Sequence, residues 1–131
     1  APAAFDTIRA HLDDTKTTPN DYDLIVTGDL GTIGVEALMQ LCREAGISIG
    51  GKLTDCGNLI FDPIAQDVHA GGSGCGCSAV VLCSELLGKL HSGKLKKLLF
   101  CGTGALLSPT STQQSLPIPG ICHAVCITSG R

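Results

Sequence analysis

Few residues in this 131-residue chain have the types and spacing for chemistry, and most lie in or beside one stretch. The run His69-Ala70-Gly71-Gly72-Ser73-Gly74-Cys75-Gly76-Cys77-Ser78 sets an imidazole, hydroxyls and two thiols along a loop with four glycines in six positions. Each glycine costs about 1 kcal/mol relative to alanine inside a helix, so the stretch reads as a loop. From Ser78 onward the pattern becomes Ala79, Val80, Leu82, Cys83, Leu86, Leu87 and Leu90, apolar at near-helical spacing. A loop poor in side chains thus leads into a buried helix. The first turn of a helix presents unpaired N–H groups and a partial positive charge. With side chains removed, a ligand or another backbone can approach it closely. Two readings stay open here: an anion or carbonyl-oxygen site, or tight packing of helix on sheet with no ligand.

The single side chains carry the same choice. Asp29 sits in the turn Gly28-Asp29-Leu30-Gly31 and is either a ligand contact or the centre of an Asx-type turn. His69 just precedes the loop and is an acid–base or ligand candidate, or a ring bonded to nearby backbone. Cys75 and Cys77 can serve as nucleophile or metal ligand, or as small residues filling a tight helix start. His123 lies in an apolar strand and reads as structural. The spacing Cys75-Gly76-Cys77 is not that of a zinc ribbon, and Cys122 and Cys126 have no mate at metal-finger distance. No metal and no cofactor is expected. The ligand candidates are Asp29, His69, Gly72, Ser73, Gly74 and Cys75, and no residue is assigned a catalytic role.

Composition narrows the field. Apolar residues make up 44% and charged residues 16%, which favours a packed core over disorder. A net charge of -3 argues against nucleic acid as partner, and aromatics at 3% leave no base-stacking platform. Of the eight cysteines, Cys42, Cys83, Cys101 and Cys126 lie inside apolar runs and read as small buried hydrophobes. Reduced thiols in a reducing compartment are expected. There is no signal-peptide pattern and no apolar run of roughly 18 residues, so no membrane span is expected.

The elements that must position these residues follow from periodicity. Ala3 to Leu12 puts Phe5, Ile8 and Leu12 on one helical face. Leu24-Ile25-Val26-Thr27 is a short buried strand, and Gly28 to Thr32 is the turn after it. Ile33 to Ala45 is a helix with Ile33, Ala37, Leu38, Leu41 and Cys42 on one side and Gly46 as its stop. Asp55 to Phe61 is a candidate strand, weakened by Gly57-Asn58. The helix after the glycine loop runs to about His91. Lys94, Lys96 and Lys97 form a solvated rim before the strand Leu98-Leu99-Phe100-Cys101, and Gly102-Thr103-Gly104 is a second glycine turn. Pro109 to Pro119 is an exposed loop, and Ile121 to Thr128 is a last strand. No linker divides residues 1–131, so one domain is expected. Strands separated by helices predict an α/β fold with a mixed, mostly parallel sheet flanked by helices, the last two strands antiparallel. Ligands gather at the carboxyl edge of such sheets.

Four runs carry a resemblance. They are Asp21 to Gly31, Gln66 to Ala79, Thr103 to Pro109, and Pro119 to Val125. In these runs the chain resembles the stage V sporulation protein AD family of spore-forming bacteria. That family is similar to the thiolases and ketoacyl-carrier-protein synthases, which carry two similar α/β halves. The chain resembles the carboxyl-terminal half, with one strand of that half expected upstream of Ala1 and a partner chain as a possible substitute. The resemblance implies uptake of dipicolinic acid, with or without calcium, into the developing spore. It also implies partners among the other stage V sporulation A proteins at the inner spore membrane, a peripheral location there, and a possible homodimer. The alternative is a condensing enzyme that transfers acyl groups. In those enzymes the nucleophile lies in the other half. The resemblance places their His or Asn positions at Thr27 or Gly28 and near Ser73, and the thiolase acid cysteine near Phe100, one residue from Cys101. None of these matches supplies the imidazole or thiol the chemistry needs. A binding component without catalysis is therefore expected.

Overall fold

The computed structural model describes residues 1–62, 64–71, 74–106 and 108–130. Helix α1 (Pro2–Thr15) begins with proline in its first turn, where a missing N–H costs nothing. Its buried stripe is Ala4, Ile8 and Leu12, each four residues apart, with Phe5 flanking it half-buried. Strand β1 (Leu24–Thr27) is almost wholly buried. Helix α2 (Gly31–Glu44) starts two residues earlier than periodicity suggests and buries Leu38 and Cys42. Ile33, expected on that face, is 71% exposed. Five residues before Leu38 at about 100° per residue place it well off the buried stripe.

Strand β2 (Leu53–Asp55) ends where the sequence suggested a strand would begin. Asp55 is the N-cap of helix α3 (Cys56–Ile60), its carboxylate accepting from Gly57 N. Gly57 and Asn58 thus lie inside a short helix and not in a strand. After the glycine loop comes one continuous helical run: α4 (Cys77–Val81), a π turn over Leu82–Leu86, and α5 (Leu87–His91). Strand β3 (Lys97–Ala105) runs straight through Gly102-Thr103-Gly104, which is therefore strand and not turn. The reason is the partner strand: β4 (Gly120–Thr128) pairs with it residue for residue from Lys97↔Thr128 to Ala105↔Gly120. Between them, α6 (Pro109–Gln113) is a short exposed helix within the expected loop.

The sheet order is β2-β1-β3-β4. The first three strands are parallel and β4 is antiparallel, so the expected mixed sheet is present. Alternation along the strands makes two cores. One face presents Ile25, Leu99 and Cys101 to α1 and α2. The other presents Val26 and Leu98 to Cys56, Cys77, Val81, Leu86 and Leu90 of α3 and the long helical run. Helices thus cover both faces, as a parallel sheet requires. Among the described residues, no helix is long and apolar enough to cross a membrane.

At the opposite, amino-terminal edge, one side chain ties β1 to β3. Asp23 Oδ2 accepts from Lys96 N at 2.6 Å and Lys97 N at 2.9 Å, while Asp23 N donates to Lys97 O. Those two N–H donors hold the Asp23 carboxyl below the usual aspartate range. A depressed folded-state value means the bond's contribution is complete above the unfolded value of about 4 and is lost as pH falls through the folded value. Asp23→Asn is expected to lower stability at neutral pH, and the gap to wild type should close on acidification through that window. Denaturant melts at a series of pH values read this directly; a gap that stays constant below pH of about 3 would remove the assignment.

Candidate ligand-binding site

The site grows from three strand ends. β1 ends at Thr27, whose register partners are Asp55 on β2 and Cys101 on β3. Asp55 is fully buried and takes four hydrogen bonds. Its Oδ1 accepts from Thr27 Oγ1 at 2.6 Å and Leu30 N at 2.9 Å. Its Oδ2 accepts from Gly31 N at 3.1 Å and Gly57 N at 3.0 Å. One carboxylate therefore fixes the turn after β1 and the starts of α2 and α3. The next amide, Thr32 N, donates to Ala70 O at 2.8 Å. The first N–H groups of α2 are thereby used inside the protein, the last of them on the glycine loop. Gly31 sits at φ 66, and a Cβ there would strike the carbonyl oxygen of Ala70, so only glycine lets loop and helix meet.

The other side of the turn is held by β3. Thr103 Oγ1 accepts from Gly28 N at 3.1 Å and Asp29 N at 3.0 Å. A Cβ on Gly28 would lie 2.8 Å from both Thr103 N and Thr103 Oγ1, so this contact also requires glycine. Asp29 then points its carboxylate at the glycine loop, where Oδ2 accepts from Gly74 N at 2.9 Å.

These anchors shape a cleft of about 680 Å³ at the carboxyl edge of β1 and β3, within the usual size of small-ligand pockets. Asp29, Leu30, Gly74 and Cys75 line one side, Thr103 to Ala105 with Gly120 and Ile121 the other, and the first residues of α1 a third. Asp29, Gly74 and Cys75 are thus brought together as the sequence suggested. Gly72 and Ser73 lie outside the described residues. His69 does not line the cleft; its side chain is 88% exposed and its Nδ1 lies 3.8 Å from Asp67 Oδ1. His123 is exposed on β4, opposite Gly102. Cys77 is buried at the head of α4 beside Cys56, and burial pushes the Cys56 thiol up to about 12, with Cys77, Asp55 and Asp29 adding to it. Cys56 is therefore held as a thiol, and both side chains pack in the core. Among the described residues, Cys42, Cys56, Cys75, Cys83, Cys101, Cys122 and Cys126 lie outside any disulfide. Among the described residues no group of three or more His, Cys, Asp or Glu side chains comes together as a metal site.

Asp55 and Thr103 are the residues the sequence reading missed. Asp55 looked like the first residue of a strand, and Thr103 like the middle of a turn. The signal that could have found Asp55 was its place before Cys56-Gly57-Asn58, an N-cap position.

At the positions resembling the condensing enzymes' His or Asn, Thr27 is buried with its hydroxyl given to Asp55, and Gly28 is packed on Thr103. Phe100 faces the α4 side of the sheet, and Cys101 faces α1.

Removing the Asp55 carboxylate leaves the N–H groups of Leu30, Gly31 and Gly57 without their acceptor, while the Thr27 hydroxyl keeps a longer contact to Thr54 O at 3.3 Å. Each such group costs about 1–3 kcal/mol when buried. Asp55→Ala should therefore lower unfolding free energy by more than about 3 kcal/mol, measured by urea titration. Gly28→Ala should destabilise through the Thr103 collision, and Thr103→Ala in the same chain should not restore stability, because the backbone N of residue 103 stays in the way and the acceptor of Gly28 N and Asp29 N is lost. A Gly28→Ala chain as stable as wild type would contradict the close approach.

Comparison with known proteins follows the same lines. A family model described as stage V sporulation protein AD (SpoVAD) matches residues 1–128. The chain is similar to "Stage V sporulation protein AD" of Bacillus subtilis (strain 168), 50% identical over 125 residues. That match covers 95% of this chain and 37% of the relative, so the chain spans little more than a third of that protein's length. With the turn of Asp29, the glycine loop and the Thr103 strand all inside the matched residues, the chain belongs to the stage V sporulation protein AD family, and its role is in sporulation.

Proposed function

We propose that this chain is part of the machinery that takes dipicolinic acid into the developing spore, acting as a binding and docking component that does no chemistry itself. The observation that carries the binding reading is the cleft at the carboxyl edge of the sheet, with Asp29 and the glycine loop on one wall. Dipicolinate is a planar pyridine with a carboxylate on each side. A cleft walled by glycine and alanine backbone admits a flat ring closely.

The charge of that wall favours one form of the ligand. Among the described residues, Asp29 is the charged side chain that lines the cleft. A free dicarboxylate would meet its like charge. A calcium chelate brings a cation that takes carboxylate oxygen readily, so Asp29 suits the chelate better than the free dianion. The absence of catalysis is supported by Thr27 and Gly28, which stand at a condensing-enzyme position without an acid–base side chain and are already engaged in holding the turn. The docking reading places the protein peripherally at the inner spore membrane, beside the other stage V sporulation A proteins.

Titration calorimetry on the full-length protein tests this. Dipicolinate with equimolar calcium is expected to give saturable heat, and dipicolinate alone a weaker response. Asp29→Ala should weaken binding by about tenfold or more, equivalent to about 1.4 kcal/mol. No heat with either form would overturn the reading. In the same preparation, incubation with acyl-CoA thioesters should yield no condensed product; sustained turnover would favour the enzyme instead.

A further inference from the structure

The side chain that holds the turn of Asp29 also carries a hydrogen that the turn does not use. Thr103 lies two residues beyond Cys101 on β3, so its side chain shares the sheet face of Cys101. That face looks toward α1, whose first residues wall the cleft. Thr103 Oγ1 accepts from Gly28 N at 3.1 Å and from Asp29 N at 3.0 Å. A hydroxyl oxygen has two lone pairs and one hydrogen. Two amides on the β1 side take both lone pairs, so the hydroxyl is left with the donor role alone. Its hydrogen is directed away from those amides, on the side of the cleft that Thr103 lines beside Asp29.

The backbone beside it has the same polarity. In the β3–β4 pair, Leu106 N donates to Pro119 O and Ser129 N donates to Lys96 O. Even-numbered residues of β3 therefore bond to β4, while Thr103 and Ala105 turn their amides to the β1 side. β1 stops at Thr27, opposite Cys101. The Ala105 N–H thus projects past the end of β1, into the cleft that Ala105 lines. This wall offers hydrogens without charge. Asp29, next to it, offers oxygen with a negative charge.

We propose that Thr103 is a specificity-determining residue of the cleft, its hydroxyl donating to a carboxylate oxygen of the ligand. This rests on the cleft being the dipicolinate site proposed for it. The two neighbouring groups then take different parts of a calcium chelate: Thr103 a carboxylate oxygen, Asp29 the cation. Donation from Gly28 N and Asp29 N polarises the hydroxyl and strengthens its own hydrogen bond. The same two bonds fix its direction before the ligand arrives, so little rotational freedom is lost on binding. A ligand without an acceptor at that point would leave the hydrogen unpaired in a closed contact, and is selected against.

Calorimetry and crystallography of the full-length protein test this, with equimolar calcium and dipicolinate as the probe. Thr103→Val removes the hydroxyl at similar shape and should raise the dissociation constant about tenfold or more. Thr103→Ser keeps the hydroxyl and should bind close to wild type. Thr103→Val also releases Gly28 N and Asp29 N, so the crystal structure of the wild-type complex separates donation to the ligand from support of the turn. A carboxylate oxygen of the ligand is expected about 3 Å from Thr103 Oγ1. A bound ligand with no acceptor within hydrogen-bonding distance of that oxygen overturns the assignment and leaves the binding reading intact. So does a Thr103→Val protein that binds as wild type does, or a Thr103→Ser protein that binds as poorly as Thr103→Val. Wild-type protein that binds neither dipicolinate nor its calcium chelate overturns the binding reading and this assignment together.

Discussion

A buried carboxylate with four donors is the constraint on which this structure turns. Asp55 has no exposed surface, so its charge must be met inside the protein. It is met by the hydroxyl of Thr27 and the amides of Leu30, Gly31 and Gly57. Two of those amides open α2 and one opens α3, so the positive ends of two helices point at the same anion. The arrangement joins β1, β2, α2 and α3 at one point. It also decides what α2 can do for a ligand. Its leading amides, of Leu30, Gly31 and Thr32, are spent on Asp55 and Ala70, so the start of α2 supports the cleft from behind.

The cleft depends on that joint at one remove. With the turn after β1 fixed, Thr103 takes up Gly28 N and Asp29 N, and the Asp29 carboxylate reaches the loop at Gly74. The loop is therefore held at two places, Ala70 by α2 and Gly74 by Asp29. A chain so rich in glycine would otherwise have a large conformational entropy to lose on ordering. The smallness of residues along this edge is then a packing requirement as much as an opening for a ligand. Of the two readings that glycine spacing leaves open, tight packing is realised where Gly31 and Thr32 meet Ala70.

What could be read beforehand divides by the range of the interaction. The helices α1 and α2, strand β1 and the antiparallel closing pair came from local periodicity, which burial of one face imposes over short distances. The edge that carries the cleft came from glycine turns expected after strands. Asp55 was misread because Cys56 to Phe61 is apolar enough for a strand, while the carboxylate that starts a helix there finds its partners 24 to 28 residues away on β1 and α2. Thr103 was misread because a Gly-Thr-Gly sequence has turn chemistry, and only pairing with Ile121 to His123 makes it strand. Ile33 was placed inward because it is apolar, although its angle on the helix, about 140° from Leu38, sets it off the buried stripe. His69 belonged to the right stretch of sequence, but the loop turns it to solvent before the cleft is reached.

The long helix beneath the sheet shows one more effect of long-range fit on local geometry. Its buried residues Cys77, Val81, Leu86 and Leu90 are spaced by four, five and four. In an unbroken α-helix the step of five would swing Leu86 about 140° away from Val81. The π turn over Leu82–Leu86 widens the coil at that step, so both side chains meet the same strands. The segment thus carries one surplus residue relative to a regular helix with the same apolar stripe. Chains of this family that differ in length by a single position could accommodate the change there, by gaining or losing the wide turn, and leave the sheet and its carboxyl edge where they are.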